Sequence, residues 1–188
     1  RVRSWTQSRG AVGVRLMELV KGADISWLGG PAARGVWEEA AFLGVPVCVH
    51  LFPWNRAEGL ARLETILAEV PGLALVLDHF AAIKSDAGPP DHGVDEALAR
   101  VARFDGVTTK FTTIPLGRLE AAGVDFRPVV ARVADLFGAE RMMWGSDISQ
   151  SPGSYEHMAA LGRRAVAQFS DGVQEQILSG TAMRVYGQ

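Results

Sequence analysis

Five short apolar segments, each followed by a segment with helical spacing, recur along the chain. Each apolar segment carries a chemically active side chain at or near its end: Arg15, His50, His79, Lys110 and Asp147. Successive members of this set are 29 to 37 residues apart, close to the length of about 30 residues that one β/α unit takes. The chain is therefore predicted to form parallel β/α units that bring all five side chains to one edge of a sheet, or to one mouth if the sheet curls into a barrel.

The central strand is predicted from residues 73–77, an apolar run between Pro71-Gly72 and Asp78-His79. A short apolar run bounded by turn residues is typical of a strand that is covered on both faces. Because successive side chains of a strand point to opposite faces, His79 is assigned to the site. Asp78 is assigned to the helix-facing side, as a structural or supporting residue.

Helices are predicted where apolar residues recur at helical spacing near capping residues. They cover residues 34–43, 56–70, 95–104, 126–137 and 155–169, and a last helix begins near Asp171. Gly44 is predicted to end the first of them, and Asp171 with Gln174 resembles a capping box. Residues 84–95 are predicted to form a long exposed loop, and a second polar loop is expected between Phe111 and residue 126.

Composition narrows the class of protein. The 21 acidic and 19 basic residues are nearly balanced, which argues against a nucleic-acid or membrane partner. The single cysteine, Cys48, excludes an intrachain disulfide and a cysteine-based zinc site, and it is expected to be a small core residue inside the sheet. No linker divides the sequence, so residues 1–188 are predicted to form one domain. With no membrane-spanning run or signal-peptide pattern, we expect a cytoplasmic protein.

The five strand-end side chains suit metal-assisted or acid–base chemistry. Two histidines and an aspartate are ligands of first-row metals, and a catalytic zinc keeps one position for a water whose pKa it lowers. Asp147 could instead, or as well, act as general base on that water. Arg15 and Lys110 would anchor an anionic or carbonyl oxygen.

Each of these residues also has an ordinary structural interpretation. A histidine at a strand end often only bonds to a neighbouring loop, and Asp147 could be a helix cap or an Asx-turn. Arg15 and Lys110 could be solvated charges. Trp54 and Tyr155 are candidates for lining the pocket, with core packing or burial at the rim as the alternative. The common spacing of the set favours the functional interpretation.

Several segments resemble one known family, the amidohydrolase-related TIM-barrel hydrolases, which include lactonases and the aminocarboxymuconate semialdehyde decarboxylase type. The similar segments are Gly13–Leu16, Val47–His50, Val76–His79, Met143–Asp147 and the closing Ile177–Tyr186. The resemblance implies a (β/α)8 fold of which this chain covers strands four to eight, as a partial barrel. The chain begins at Arg1, in a stretch that is similar to the end of a helix, so we expect further sequence before it.

The resemblance also implies roles for the strand-end residues. His50, His79 and Asp147 correspond to metal ligands, with Asp147 also transferring protons and His79 polarising the substrate carbonyl. Arg15 and Lys110 correspond to less fixed positions on the fourth and seventh strands. One divalent metal, zinc, is implied for each complete site, and the family's first-strand His-x-His motif has no counterpart here. The sequence also departs from the family at three places: Ala81-Ala82 without the usual glycine, Ile148-Ser149, and Thr181 in place of asparagine.

We therefore expect a metal-dependent hydrolase that attacks a lactone, ester or amide carbonyl with an activated water. The expected partner is a small anionic carbonyl substrate, and a homodimer is left open. Two alternatives remain: a non-oxidative decarboxylase on the same site, and a catalytically inactive fragment. Metal dependence is itself a hypothesis, since some relatives of the lactonase type are thought to work without metal.

Overall fold

The structure, a computed structural model that describes residues 2–187, contains a sheet of five parallel strands in sequential order. The strands are β1 (Val14–Met17), β2 (Val47–His50), β3 (Leu75–Leu77), β4 (Val107–Thr112) and β5 (Met142–Gly145). Each strand pairs in parallel with the next one along the chain. A sequential parallel order is the arrangement of a TIM-type barrel wall, and the predicted partial barrel is confirmed.

α-Helices lie before β1, in each connection between strands and after β5. They are α1 (Val2–Arg9), α2 (Pro31–Leu43), α3 (Arg56–Glu69), α4 (Glu96–Ala102), α5 (Thr113–Ala121), α6 (Arg127–Phe137), α7 (Tyr155–Val166), α8 (Asp171–Glu175) and α9 (Thr181–Tyr186), with a π-helical stretch, Gln176–Gly180, between the last two. Gly44 ends α2 in the left-handed conformation, as predicted. The first predicted helical residue, Arg1, lies outside the described residues. No helix within residues 2–187 is long and apolar enough to cross a membrane.

Two local predictions were wrong. The expected polar loop after β4 contains α5, whose Leu116 and Leu119 are buried. Pro115 concealed this helix in the sequence, but it stands in the first turn, where its missing N–H is not needed. The capping box at Asp171 does not form. Ser170 is the N-cap residue and makes no side-chain capping bond, and the side-chain Nε2 of Gln174 donates to the Phe169 carbonyl.

The two faces of the sheet differ in what covers them. We call the face that the surrounding helices cover outward and the opposite face inward. Outward side chains such as Val49, Leu77 and Phe111 pack with the helices in the main apolar core. The inward side chains of Cys48, Val76 and Met143 form a smaller cluster. Burial, the largest cause, raises the pKa of Cys48 to about 11, so its thiol is protonated and unreactive as expected of a core residue.

Helix α9 covers the inward face near the beginnings of the strands. Ala182, Val185 and Tyr186 pack against the inward cluster. The Tyr186 ring lies close enough to Gly13 that a Cβ there would sit 3.1 Å from Cε1. The inward face is therefore apolar and covered towards the start of the strands, which leaves its polar groups at the carboxyl ends.

Packing of α7 on β5 gives a prediction about two helical glycines. A Cβ on Gly162 would sit 2.7 Å from the indole nitrogen of Trp144, whereas a Cβ on Gly35 in α2 would meet nothing within 4 Å. We expect Gly162→Ala to lower the free energy of unfolding by about 1–3 kcal/mol through overpacking. Gly35→Ala should raise it by about 0.5–1 kcal/mol through helix propensity. Urea denaturation checks both, and equal effects of the two substitutions would contradict the packing of α7.

Candidate active site

Asp78 lies at the centre of the site, with its carboxylate fully buried between two cations. Its Oδ2 lies 2.7 Å from Nη2 of Arg15, and its Oδ1 lies 2.9 Å from Nζ of Lys110. Burial alone would raise the pKa of Asp78, but Lys110, His79 and Arg15 outweigh burial and hold the pKa below its usual value. Asp78 is therefore a carboxylate whose charge is already balanced within the protein.

This position corrects the prediction that Asp78 faces the helices. Asp78 follows Val76 by two residues, and Val76 belongs to the inward cluster, so strand alternation places Asp78 on the inward face as well. The prediction was wrong because it assumed that alternation continues through His79. β3 ends at Leu77, and the turn that follows brings His79 to the same side.

Arg15 and Lys110 do not lie at the ends of their strands. Arg15 is the second residue of β1, and Lys110 is the fourth of the six residues of β4. Their long side chains extend from these deeper positions to the buried carboxylate. Gly145 on the neighbouring strand borders this path, and a Cβ there would make ordinary van der Waals contact, 3.4 Å from Cδ of Lys110.

A left-handed turn (residues 79–82) follows Asp78. His79, Phe80, Ala81 and Ala82 have φ angles of 50°, 54°, 51° and 53°, and none of them is glycine. The left-handed conformation costs a residue with a Cβ about 1–2 kcal/mol, so the turn requires support from its surroundings. A glycine in this turn would adopt positive φ without that cost, and this sequence has Ala81 and Ala82 instead.

His79 is surrounded by one hydroxyl and two carboxylates. Its Nδ1 lies 2.8 Å from Oγ1 of Thr112, and its Nε2 lies 3.5 Å from Oδ2 of Asp78 and 3.7 Å from Oδ2 of Asp147. Since carboxylates only accept hydrogen bonds, we assign the proton to Nε2 and let Thr112 donate to Nδ1. Burial, the largest cause, lowers the pKa of His79, so the ring is a neutral donor towards the carboxylates.

His50 is held by Arg15 on one side and by aromatic rings on its faces. Nη2 of Arg15 lies 2.9 Å from Nδ1 of His50, and an arginine can only donate, so Nδ1 accepts. The His50 ring stacks on Phe52 at 4.3 Å and lies 4.5 Å from the His79 ring. Burial first, and then His79, lowers the pKa of His50 to about 4, so this imidazole is neutral at physiological pH.

Asp147 differs from Asp78 in its partners. It follows β5 by two residues, in a left-handed conformation with a φ of 52°, and 17% of its side chain is exposed. Within residues 2–187, its carboxylate meets no lysine or arginine closer than 4 Å, and its ionisable neighbour is the imidazole of His79. Asp147 is therefore the carboxylate of the site whose lone pairs are accessible to a water or a substrate.

The donor set for a metal differs from the predicted one. His50, Asp78 and His79 each offer a ligand atom, and these atoms lie within 4.8 Å of one another. The predicted set contained Asp147 in place of Asp78. In donor type and spacing, the His–Asp–His cluster fits a divalent cation. Arg15 and Lys110 hold the same lone pairs, so the cation and these side chains would compete for Asp78.

The two predicted aromatic residues differ in their relation to the site. Trp54 stacks on Phe52 at 4.5 Å and is thereby linked through Phe52 to His50. Tyr155, the first residue of α7, lies 6.5 Å from the Trp144 ring on the outward face. Both are exposed. Phe52 and Thr112 were not among the predicted site residues, although Thr112 follows Lys110 by two residues and so shares its face.

Comparison with known proteins identifies the family of this chain. The amidohydrolase family profile matches residues 1–188. The chain belongs to the amidohydrolase family. This result confirms the predicted family and its hydrolase class, which is generally metal-dependent. A search of curated proteins gave no match.

Solved amidohydrolase structures share the fold at low sequence identity. A candidate 2-pyrone-4,6-dicarboxylic acid hydrolase from Pseudomonas putida has a TM-score of 0.73 and 23% identity over 99% of this chain and 67% of that one. A Burkholderia multivorans amidohydrolase with bound zinc has a TM-score of 0.70 and 20% identity over 93% of this chain and 64% of that one. A candidate 2-pyrone-4,6-dicarboxylic acid hydrolase from Acinetobacter baumannii with bound citric acid has a TM-score of 0.71 and 20% identity over 97% of this chain and 66% of that one. This chain spans about two thirds of the length of these proteins.

The buried charge of Asp78 predicts an effect on stability. Asp78→Asn leaves Arg15 and Lys110 facing a neutral amide, and we expect it to lower the free energy of unfolding by about 1–3 kcal/mol. The cost stays below that of a fully buried pair because Arg15 reaches solvent. Chemical denaturation measures this value.

Asp125→Asn is the matched control, because Asp125 also has an arginine, Arg127, at 2.7 Å, but both side chains are exposed. That substitution should change the free energy of unfolding by less than about 0.5 kcal/mol. Similar losses in the two variants would mean that the Asp78 pair does not stabilise the fold beyond an ordinary surface pair.

Proposed function

We propose that this site hydrolyses the ester bond of a small anionic lactone or a related carbonyl compound. The observation that supports this proposal is the division between the two carboxylates. Asp78 is neutralised by Arg15 and Lys110, whereas Asp147 faces His79 and has no lysine or arginine partner in the described part of the chain. Asp147 can therefore act as a general base, and the cations beside Asp78 can bind an anion.

The binding step would use the two cations. Arg15 has five N–H donors in total. Among residues 2–187, its half-exposed guanidinium uses Nη2 alone for its hydrogen bonds, to Asp78 and His50. The remaining donors are free to meet a substrate carboxylate in a two-point contact. Both named hydrolases among the structural neighbours, by their names, act on a dicarboxylic acid, and one of them holds citric acid, which is consistent with a polyanionic ligand class.

The chemical step would use Asp147 and His79. Asp147 takes a proton from the attacking water as the water oxygen bonds to the carbonyl carbon. The Nε2–H of His79 donates to the carbonyl oxygen as negative charge develops there. When the tetrahedral species collapses, the bond between carbon and the ring oxygen breaks, and Asp147 returns the proton to the departing alkoxide. The products are a carboxylic acid and an alcohol in one molecule.

A divalent metal, proposed to be zinc, would be held by His50, Asp78 and His79 in this chain. A ligating Nε2 of His79 carries no proton, so in the metal-bound state the carbonyl oxygen would be polarised by the ion and not by His79. When bound, such an ion supplies a water of lowered pKa and polarises a carbonyl oxygen. The residues that hold it are the ones that Arg15 and Lys110 contact, so metal occupancy and anion binding are expected to influence each other. The cytoplasm remains our proposed compartment, supported by the single buried cysteine.

The proposed function predicts the effect of removing the general base. Asp147→Asn in the full-length protein should lower kcat for lactone hydrolysis by about 10²–10⁴-fold while thermal unfolding stays unchanged. Asp135→Asn, on the exposed face of α6, is the control and should retain activity. Retained turnover in Asp147→Asn would remove this residue from the mechanism. Release of carbon dioxide without incorporation of labelled water oxygen would replace hydrolysis with decarboxylation.

Competition between Lys110 and a metal gives a second prediction. Lys110→Met frees Oδ1 of Asp78 and removes a positive charge beside the cluster, so the affinity for Zn²⁺ should rise about tenfold or more. Titration calorimetry of the metal-stripped protein measures this affinity. Lys21→Met is the control, because Lys21 is exposed. An unchanged affinity in Lys110→Met would mean that a metal does not use Asp78.

A further inference from the structure

The left-handed turn (residues 79–82) holds the imidazole of His79 in the site, and contacts outside the site hold the turn. Phe80 is buried and stacks on Phe111 of β4 at 5.3 Å. Ala81 is fully buried. Its carbonyl oxygen accepts a hydrogen bond of 2.9 Å from Nε of Arg56. Since the backbone of this turn is disfavoured for residues with a Cβ, these contacts select its conformation.

Arg56 is the first residue of α3, and only 13% of its side chain is exposed. Besides the Ala81 carbonyl, it binds both carboxylate oxygens of Asp95, with Nη1 at 2.5 Å and Nη2 at 3.0 Å. Asp95 in turn caps α4, because its Oδ1 accepts from the backbone N–H of Leu98. One planar guanidinium therefore ties the starts of two helices to the carbonyl of the left-handed turn.

We propose that Arg56 is a positioning residue for His79, acting through the Ala81 carbonyl. The proposal rests on the proposed function only in giving His79 a part in turnover. Arg56 does not contact His79, and its effect is on the backbone that aims the ring between Thr112, Asp78 and Asp147. A fixed guanidinium is suited to this task because it presents Nε to the turn while both Nη atoms remain on Asp95.

A purely structural interpretation of Arg56 is that it only joins α3 to α4. The chain offers a matched control for that interpretation, because Arg100 of α4 also pairs with a carboxylate of α3, Glu64, at 2.9 Å. The Arg100 pair links the same two helices and has no contact with the left-handed turn. Loss of a helix–helix ion pair alone should therefore appear equally in variants of Arg56 and Arg100.

The test compares Arg56→Gln, Arg56→Lys and Arg100→Gln in the full-length protein. Lysine keeps the charge for Asp95 but lacks the fork that also reaches the carbonyl. The first readout is independent of turnover: the ring ¹H–¹⁵N signals of His79, assigned by their absence in His79→Asn. The second readout is the separation of kcat from KM for the lactone that the wild type hydrolyses.

We expect both Arg56 variants to move or broaden the His79 ring signals and to lower kcat about 10–100-fold, with KM within about threefold of wild type. Arg100→Gln should leave the ring signals and kcat unchanged. Unmoved His79 signals in folded Arg56→Lys would overturn the proposal, as would the same kcat loss in Arg100→Gln. If no substrate is found, the ring signals still decide the role of Arg56, and only the proposed function is lost.

A second variant tests whether the turn is the link. Ala82 is only partly buried and has a φ of 53°, so Ala82→Gly removes a conformational penalty at little cost in packing. Added to Arg56→Gln, it should return the His79 signals towards their wild-type positions and recover at least about threefold in kcat. A double variant with no recovery in either readout would mean that Arg56 does not act through the turn.

Discussion

The ion pairs of Asp78 with Arg15 and Lys110 are the interaction on which the rest of the site depends. They join three strands, β1, β3 and β4, at one buried carboxylate. An isolated buried charge would be strongly unfavourable, so Asp78 requires cationic partners, and Arg15 and Lys110 supply them. Arg15 then fixes His50 through Nδ1. The orientation of the polar groups on the inward face thus follows from one electrostatic requirement.

The same requirement separates two acids that are chemically identical. Asp78 is engaged by Arg15 and Lys110, while Asp147 has His79 beside it and some exposure to solvent. Both Asp147 and His79 adopt left-handed backbone conformations that glycine would adopt more easily. Unfavourable conformations persist where surrounding contacts determine them, and they concentrate at functional sites. Here these conformations direct the side chains of His79 and Asp147 towards each other.

The parallel strand order, and the convergence of the five strand-end side chains on one site, could be predicted from the sequence. β/α units repeat at a nearly fixed length, and the ends of parallel strands share an edge of the sheet. The sequence was insufficient for Asp78, because alternation was extended through His79, two residues beyond the end of β3. Nothing in the local sequence indicates a left-handed turn at Phe80-Ala81, since residues with a Cβ rarely adopt it. That turn is set by Phe111 and Arg56, which are distant in sequence and adjacent only in the fold.

Charge balance also bears on how the proposed reaction would end. With neutral histidines, Arg15 and Lys110 offset Asp78 and Asp147, so the site has little net charge before a ligand enters. An anionic lactone would be attracted by the free donors of Arg15. Ring opening adds a second carboxylate to the product at the carbon beside Asp147, where like charges repel. The proposed chemistry would therefore weaken binding of its own product, and the buried pair at Asp78 would remain intact through the cycle.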